Sequence, residues 1–153
     1  SFMKLGITPD IISTAKGLAG GLPMGATLFS EKCENVLTSG THGSTFGANP
    51  VCAAAALSNI ERLDDAFLNE VGKKSEYIIS YLKNIKGVKS ISGMGLMLGI
   101  ETEKSASEIV KECLNRGLLV LTAKTKIRLL PALNITYKEL DKGLEILKGV
   151  IEE

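Results

Sequence analysis

The first half of the chain alternates short apolar runs with glycine-rich breaks. Residues 10–15 form a compact apolar run, which predicts a short buried strand. A glycine-rich turn follows at 17–25, and residues 26–29 predict a second short strand. Ser30 and Glu31 are typical of a helix start, with Ser30 as the N-cap, so a helix is expected over 30–37. Residues 38–49 lack any periodic pattern and predict an irregular loop.

Two helices are predicted in the middle of the chain. Asn49 is suited to an N-cap and Pro50 to the first helical position, so a helix begins there. Apolar residues recur at helical spacing over 66–85, which predicts a second, amphipathic helix. A break is expected at Asp64-Asp65, as a kink or a turn.

The pattern beyond Gly87 is that of a small strand-rich α+β domain. We expect its helices at 105–116, ended by Gly117, and from a cap at Thr136 to about Val150, with Glu139 completing a capping box. The predicted strands are 88–91, 95–101, 118–121 and 127–130. The chain therefore divides into two regions, 1–63 and 64–153.

Composition narrows the functional classes. The 153 residues are 44% hydrophobic and 23% charged with a net charge of +1, as in ordinary globular proteins, and give no basic patch for nucleic acid or anionic membrane. No apolar run is long enough to predict a membrane span. Cys33, Cys52 and Cys113 are too dispersed for a disulfide framework or a metal site, which favours a reduced, cytoplasmic protein without a metal.

Lys16 is the first candidate for chemistry. It follows an apolar strand and precedes a turn of small residues. Burial of a lysine lowers its pKa and makes the amine a better nucleophile toward a carbonyl carbon. The glycines beside it would let a flat ring approach the backbone. The alternative is a surface lysine before a flexible loop, and the residues alone leave both open.

The second candidate is the loop at 40–50. Its hydroxyl groups and glycine amides come just before a predicted helix N-terminus, where free amides and the helix dipole favour a phosphate. An ordinary capped loop would have the same composition. His42 is the only histidine and has no metal-binding partners nearby in sequence, so a structural hydrogen bond is its expected role.

Arg128 is the third candidate because it interrupts an apolar strand. A guanidinium group there must pair with an anion or lie at a sheet edge, and it can clamp a carboxylate through two parallel hydrogen bonds. Lys124 and Lys126 nearby are also compatible with a solvated basic edge. An amine nucleophile, a phosphate site and a carboxylate clamp together are what amino-acid chemistry on pyridoxal phosphate requires.

These motifs resemble those of the class III pyridoxal-phosphate-dependent aminotransferases. Residues 9–17 with 21–26 resemble the Schiff-base lysine motif of that family, and 42–50 resemble its phosphate loop. Residues 93–100 and 127–133 resemble strands of its small domain. The resemblance runs in order along the whole chain. It is greatest to those members that transfer an amino group between N-acetylornithine and 2-oxoglutarate in arginine biosynthesis.

The resemblance implies a fold and a set of roles. The expected fold is α/β, the C-terminal part of a fold-type I transferase. Residues 1–63 would end the large cofactor-binding domain and include the linking helix, and 64–153 would be the small α+β domain. Lys16 would hold pyridoxal 5′-phosphate and move the substrate proton. Thr45 would bind its phosphate across a homodimer interface, Ser44 would touch the substrate, and Arg128 would bind the substrate α-carboxylate.

The resemblance also implies that more than half of a complete family member is missing. The missing part would supply the aspartate at the pyridine nitrogen, a phosphate-binding turn and an aromatic ring over the cofactor. We therefore expect the isolated chain to be inactive and to form a dimer or larger oligomer through exposed apolar faces. Other class III activities remain open, namely ornithine or 4-aminobutyrate aminotransferase or an aminomutase, as does a non-catalytic dimerising module.

Overall fold

The computed structural model describes residues 2–153, which form two compact units. One unit ends at Asp64 and the other spans Asp65–Glu153. Its six strands and four α-helices are distributed unevenly between them, with two strands and one helix in the first unit. No helix among residues 2–153 is both long and apolar enough to cross a membrane.

The first unit contains an antiparallel pair of strands. β1 spans Ile11–Thr14, and β2 spans Ala26–Phe29. The register places Ile11 opposite Phe29. The expectation that β1 is buried is wrong, since Ile11 is 56% exposed. A two-stranded sheet can be buried only by a packing layer, and the described residues of this unit do not supply one over these strands.

The helix predicted over 30–37 is also wrong. Only a three-residue 3-10 turn forms, at Glu31–Cys33. The Ser30 hydroxyl group does not cap it but donates to Asp10 Oδ1 at 2.8 Å, while Lys32 Nζ donates to Asp10 Oδ2 at 3.2 Å. These contacts use the polar groups of the predicted first turn to hold the end of β2 against the start of β1.

The helix predicted from Asn49-Pro50 is confirmed as α1, Pro50–Glu61. The Asn49 side chain accepts hydrogen bonds from the backbone amides of Val51 and Cys52, at 3.1 and 3.2 Å. Proline fixes the backbone at the first helical position, and asparagine satisfies two amides that have no partner within the helix. The irregular loop predicted before this helix is present over 38–49.

The second unit is a four-stranded antiparallel sheet with helices on one face. Its strand order is β3-β4-β6-β5, so β6 is an interior strand. The helices contribute most of the buried apolar side chains, including Ile78, Leu82, Ile109 and Leu147. The strands are β3 (Val88–Met94), β4 (Met97–Thr102), β5 (Leu121–Ala123) and β6 (Lys126–Leu129), and the helices are α2 (Asp65–Leu82), α3 (Ala106–Asn115) and α4 (Tyr137–Glu152).

Several strand boundaries differ from those predicted. β3 continues to Met94, and Gly95, expected to begin the next strand, lies in the hairpin turn with a φ of 58°. The strand expected at 118–121 begins only at Leu121. The amide of Leu118 instead bonds to the carbonyl oxygen of Cys113 at 2.8 Å and closes the end of α3. An apolar run thus serves as a helix terminus rather than as a strand.

The predicted capping box at the start of α4 is confirmed. The amide of Glu139 donates to Thr136 Oγ1 at 3.3 Å, and the amide of Thr136 donates to Glu139 Oε2 at 2.9 Å. The hydroxyl of Tyr137 donates to Glu70 on α2 at 2.8 Å, and this bond lowers the pKa of the Glu70 carboxyl. The start of α4 is therefore fixed both locally and against α2.

Candidate active site

Lys16 lies at a strained position just beyond β1, from which Ala15 separates it. It begins a four-residue 3-10 turn, Lys16–Ala19, and its φ is 57°. This left-handed conformation costs a residue with a Cβ atom about 1–2 kcal/mol, and such strain concentrates at functional sites. The Lys16 side chain is exposed, so no desolvation by the described residues supports the expectation of an activated amine.

Asn59 holds the turn that carries Lys16. Its side-chain amide on α1 donates to the carbonyl oxygens of Gly17 and Leu18, at 2.7 and 3.2 Å. Gly20 closes the turn in the left-handed conformation, with a φ of 62°. Asn59 was not among the residues predicted from the sequence, although an amide in a helix of alanine and aliphatic residues is a usable signal for a tertiary hydrogen bond.

The loop before α1 places Ser44 and Thr45 at the surface. Both residues are exposed, and neither hydroxyl group has a hydrogen-bond partner among residues 2–153. Both residues belong to a turn in which the Gly47 amide donates to the Ser44 carbonyl oxygen at 3.2 Å. Phe46, in the same turn, is 81% exposed. The loop therefore offers two unused hydroxyl groups and an exposed ring.

The predicted Asn49 cap occupies two of the amides at the start of α1, so these two amides are not available to a phosphate. The expectation that Thr45 binds the phosphate therefore depends on its unused hydroxyl group. His42 is exposed and has no hydrogen bond within the described part of the chain, so its expected structural bond is absent.

Arg128 lies on an interior strand, which excludes the edge-strand alternative. On β6 it is opposite Gly99 of β4 and Leu121 of β5. Its neighbour Ile127 faces the helices and is fully buried, so alternation along the strand places Arg128 on the opposite, open face of the sheet. Arg128 is half-buried, and its Nε atom is buried without a hydrogen-bond partner among residues 2–153.

The Nε atom of Arg128 is the buried side-chain polar atom that lacks a hydrogen-bond partner among residues 2–153. A buried N–H group without an acceptor costs about 1–3 kcal/mol, and a carboxylate would satisfy it. Lys16, Ser44 and Thr45 belong to the first unit and Arg128 belongs to the second. Within residues 2–153 no group of His, Cys, Asp or Glu side chains could hold a metal ion.

None of the three cysteines is among the candidate site residues. All three are free thiols, and Cys113 is fully buried in the core of the second unit. Burial raises the pKa of the Cys113 thiol, which disfavours the reactive thiolate.

The chain belongs to the class III aminotransferases. The family model "Aminotransferase class-III" matches residues 1–151. The resemblance found in the sequence is thereby confirmed. Pyridoxal 5′-phosphate is the cofactor of this family, and the chemistry of the family is transfer of amino groups.

The chain is similar to individual members of the family that are acetylornithine aminotransferases. The chain is 45% identical to acetylornithine aminotransferase of Haemophilus ducreyi, with 100% of this chain and 39% of that protein aligned. It is also 45% identical to the mitochondrial acetylornithine aminotransferase of Alnus glutinosa, over 92% of this chain and 33% of that protein. The chain thus spans well under half the length of these relatives.

Solved structures confirm the predicted fold class. Acetylornithine aminotransferase from Elizabethkingia anophelis superposes with a TM-score of 0.86 at 27% identity, covering 98% of this chain and 42% of that one. Plasmodium falciparum ornithine delta-aminotransferase gives a TM-score of 0.84 at 29% identity, covering 98% of this chain and 42% of that one. The chain therefore has part of the α/β fold of these transferases.

Proposed function

We propose that the chain is the C-terminal part of an acetylornithine aminotransferase, which transfers an amino group between N-acetylornithine and 2-oxoglutarate in arginine biosynthesis. The observation that carries the proposal is the 45% identity to an acetylornithine aminotransferase along the entire chain. The candidate residues in the turn after β1, in the loop before α1 and on β6 support it. The unit ending at Asp64 would complete the large cofactor-binding domain, and Asp65–Glu153 would be the small domain.

Each candidate residue has a role that its position can support. Lys16 would attach the cofactor and, once released, carry a proton at the substrate carbon, because its turn holds the backbone fixed while its side chain is exposed. Thr45 would bind the phosphate and Ser44 the substrate, through their unused hydroxyl groups. Pyridoxal phosphate, when bound, supplies the electron sink that the reaction needs.

Arg128 would bind the carboxylate of the amino acid or the 2-oxo acid. Its backbone is held by the pairing of β6 with a strand on each side, so the base of the side chain is fixed in the middle of the sheet. The residues that would pair with the pyridine nitrogen and stack on the ring have no candidate among residues 1–153. The chain alone is therefore proposed to hold only part of the site.

The proposal predicts no measurable turnover by the 153-residue chain alone. Glutamate formation from N-acetylornithine and 2-oxoglutarate, with added pyridoxal phosphate, is the measurement. A complete acetylornithine aminotransferase, such as that of Haemophilus ducreyi, is the positive control at equal molar concentration. Turnover by the chain above the background measured without protein would contradict the proposed incompleteness.

Ornithine is the second candidate amino donor. The structural similarity to ornithine aminotransferases of Plasmodium falciparum and Plasmodium yoelii, at TM-scores of 0.84 and 0.85, favours including it. Sequence identity to these is 28–29%, against 45% for an acetylornithine enzyme. Joined to its complete N-terminal region, the chain should prefer the acetylated donor, and a higher kcat/KM for ornithine would reverse this assignment.

We also propose that the chain associates with itself, as a homodimer or a larger oligomer. Among residues 2–64 the buried apolar side chains are those of Ala19 and Ala56, whereas Val36, Phe46 and Val51 are each at least 66% exposed. Exposed apolar side chains that join into a patch mark interaction sites, and we infer that these three contribute to one.

Light scattering on the purified chain should give a mass of at least twice 16.3 kDa at micromolar concentration. Phe46→Ser tests the proposed surface, and Leu119→Ser, at a residue 84% exposed in the second unit, is its control. We expect Phe46→Ser to shift the population toward monomer and the control to leave it unchanged. A monodisperse monomer for the parent chain would contradict the proposal.

A further inference from the structure

The open face of the four-stranded sheet carries one carboxylate close to Arg128. Among the strand residues of the second unit, Glu101 on β4 is the only acidic side chain. Arg128 is opposite Gly99, and Glu101 is two residues farther along the same strand. Such diagonal neighbours have Cα atoms about 7–8 Å apart, which is within reach of an arginine and a glutamate side chain.

Glu101 nevertheless has other partners. Its Oε2 atom accepts a hydrogen bond from Ser90 Oγ at 2.8 Å and lies 4.0 Å from Lys126 Nζ. No hydrogen bond or ion pair joins Glu101 to Arg128 within residues 2–153, and Arg128 Nε has no acceptor there. The arginine thus remains unpaired although a carboxylate is nearby.

Lys126 crosses the sheet beside both residues. It lies two positions before Arg128 on β6, hence on the same face. Its Nζ atom reaches β3 and donates to Ser92 Oγ at 3.0 Å. A Cβ atom at Gly99 would lie 3.3 Å from Lys126 Cδ and 3.6 Å from Ser92 Oγ, so the absent side chain of Gly99 leaves the lysine its path over β4.

We propose that Lys126 is a positioning residue that holds Glu101 away from Arg128 and so leaves Arg128 open to a carboxylate from outside the chain. The inference rests on the proposed role of Arg128 in binding a substrate carboxylate. The lysine supplies the cation that Glu101 would otherwise seek from Arg128. Without it, Glu101 and Arg128 would form a cross-strand pair and compete with the substrate.

The direct readout is the Nε–Hε signal of Arg128 in ¹⁵N NMR spectra of the whole chain, assigned by its loss in Arg128→Lys. In Lys126→Met without ligand, we expect this signal to shift and its exchange with water to slow, because Glu101 becomes its acceptor. In Lys126→Met/Glu101→Gln, and in Lys126→Arg, it should return to the parent position. Lys148→Met, at an exposed lysine of α4, is the matched control.

Titration with glutarate, a dicarboxylate without a reactive carbonyl, provides the second readout. Lys126→Met should raise the apparent Kd for glutarate, read from the Arg128 signal, by roughly three- to tenfold, as expected for a competing half-exposed ion pair. Adding Glu101→Gln to this variant should restore the parent Kd. Lys126→Thr replaces Lys126→Met if the methionine variant does not give a folded spectrum.

The outcomes distinguish a failure of the proposed role of Lys126 from a failure of the proposed carboxylate-binding role of Arg128. An unchanged Arg128 signal in ligand-free Lys126→Met, or a changed signal that Glu101→Gln does not reverse, overturns the role of Lys126 whatever glutarate does. A parent chain in which Arg128 gives no response to glutarate overturns the proposed carboxylate role, and the ligand-free comparison still decides whether Lys126 controls Glu101.

Discussion

Replacing Lys16 with alanine is expected to abolish specific attachment of pyridoxal phosphate to the chain. With the parent chain, incubation with the cofactor and reduction with borohydride should label Lys16 at about one cofactor per chain, in preference to surface lysines. The reason is its fixed position: Asn59 holds the turn through Gly17 and Leu18, and the amine projects from a strained residue. Peptide mapping by mass spectrometry measures the site and its occupancy.

Lys4→Ala is the control for this experiment, because Lys4 is an exposed lysine of the same unit. Its labelling at Lys16 should equal that of the parent chain. Labelling scattered over many lysines, or equal labelling of the parent chain and Lys16→Ala, would show that the chain alone has no cofactor site.

The largest effect on stability is expected from Gly93→Ala. Gly93 lies in β3 with a φ of 134°, and a Cβ atom there would lie 2.1 Å from the carbonyl oxygen of Met97. That separation is far inside van der Waals contact, and the neighbour is backbone, so the β3–β4 hairpin must distort. We expect a loss of about 3–5 kcal/mol in the free energy of unfolding of the second unit.

Urea denaturation followed by tyrosine fluorescence measures this change. The chain has no tryptophan, and its three tyrosines, Tyr77, Tyr81 and Tyr137, all belong to the second unit. Gly72→Ala is the matched control, because Gly72 is inside α2 with nothing within 4 Å of the added atom. It should raise the free energy of unfolding by about 0.5–1 kcal/mol. Equal effects of both substitutions would contradict the hairpin geometry.

Local signals in the sequence predicted the elements whose determinants are local. The helix starts at Asn49 and Thr136 follow from side chains that bond within three residues. The prediction of a helix at 30–37 was wrong because the Ser30 side chain bonds to Asp10, 20 residues away, rather than to the amides of its own first turn. The prediction that β1 is buried was wrong because burial depends on what packs over a strand, and the apolar content of the strand does not reveal this.

The same distinction applies to the candidate site. Lys16 and Arg128 were found because a charged residue beside or within an apolar strand is visible in the sequence. Asn59 was missed because its acceptor at Gly17 is 42 residues away. The edge or interior position of Arg128 could not be decided beforehand either, because it depends on β5 and β4 pairing on the two sides of β6.

The crossing of Lys126 over Gly99 constrains how related sequences can diverge. A side chain larger than alanine at position 99 would occupy the space that Lys126 Cδ now uses, with first contact already at 3.3 Å from a Cβ atom. Positions 99 and 126 should therefore change together during evolution, with a filled position 99 accompanied by a shorter or uncharged residue at 126. Lineages that made this exchange would also need a different neutralising partner for the carboxylate at position 101.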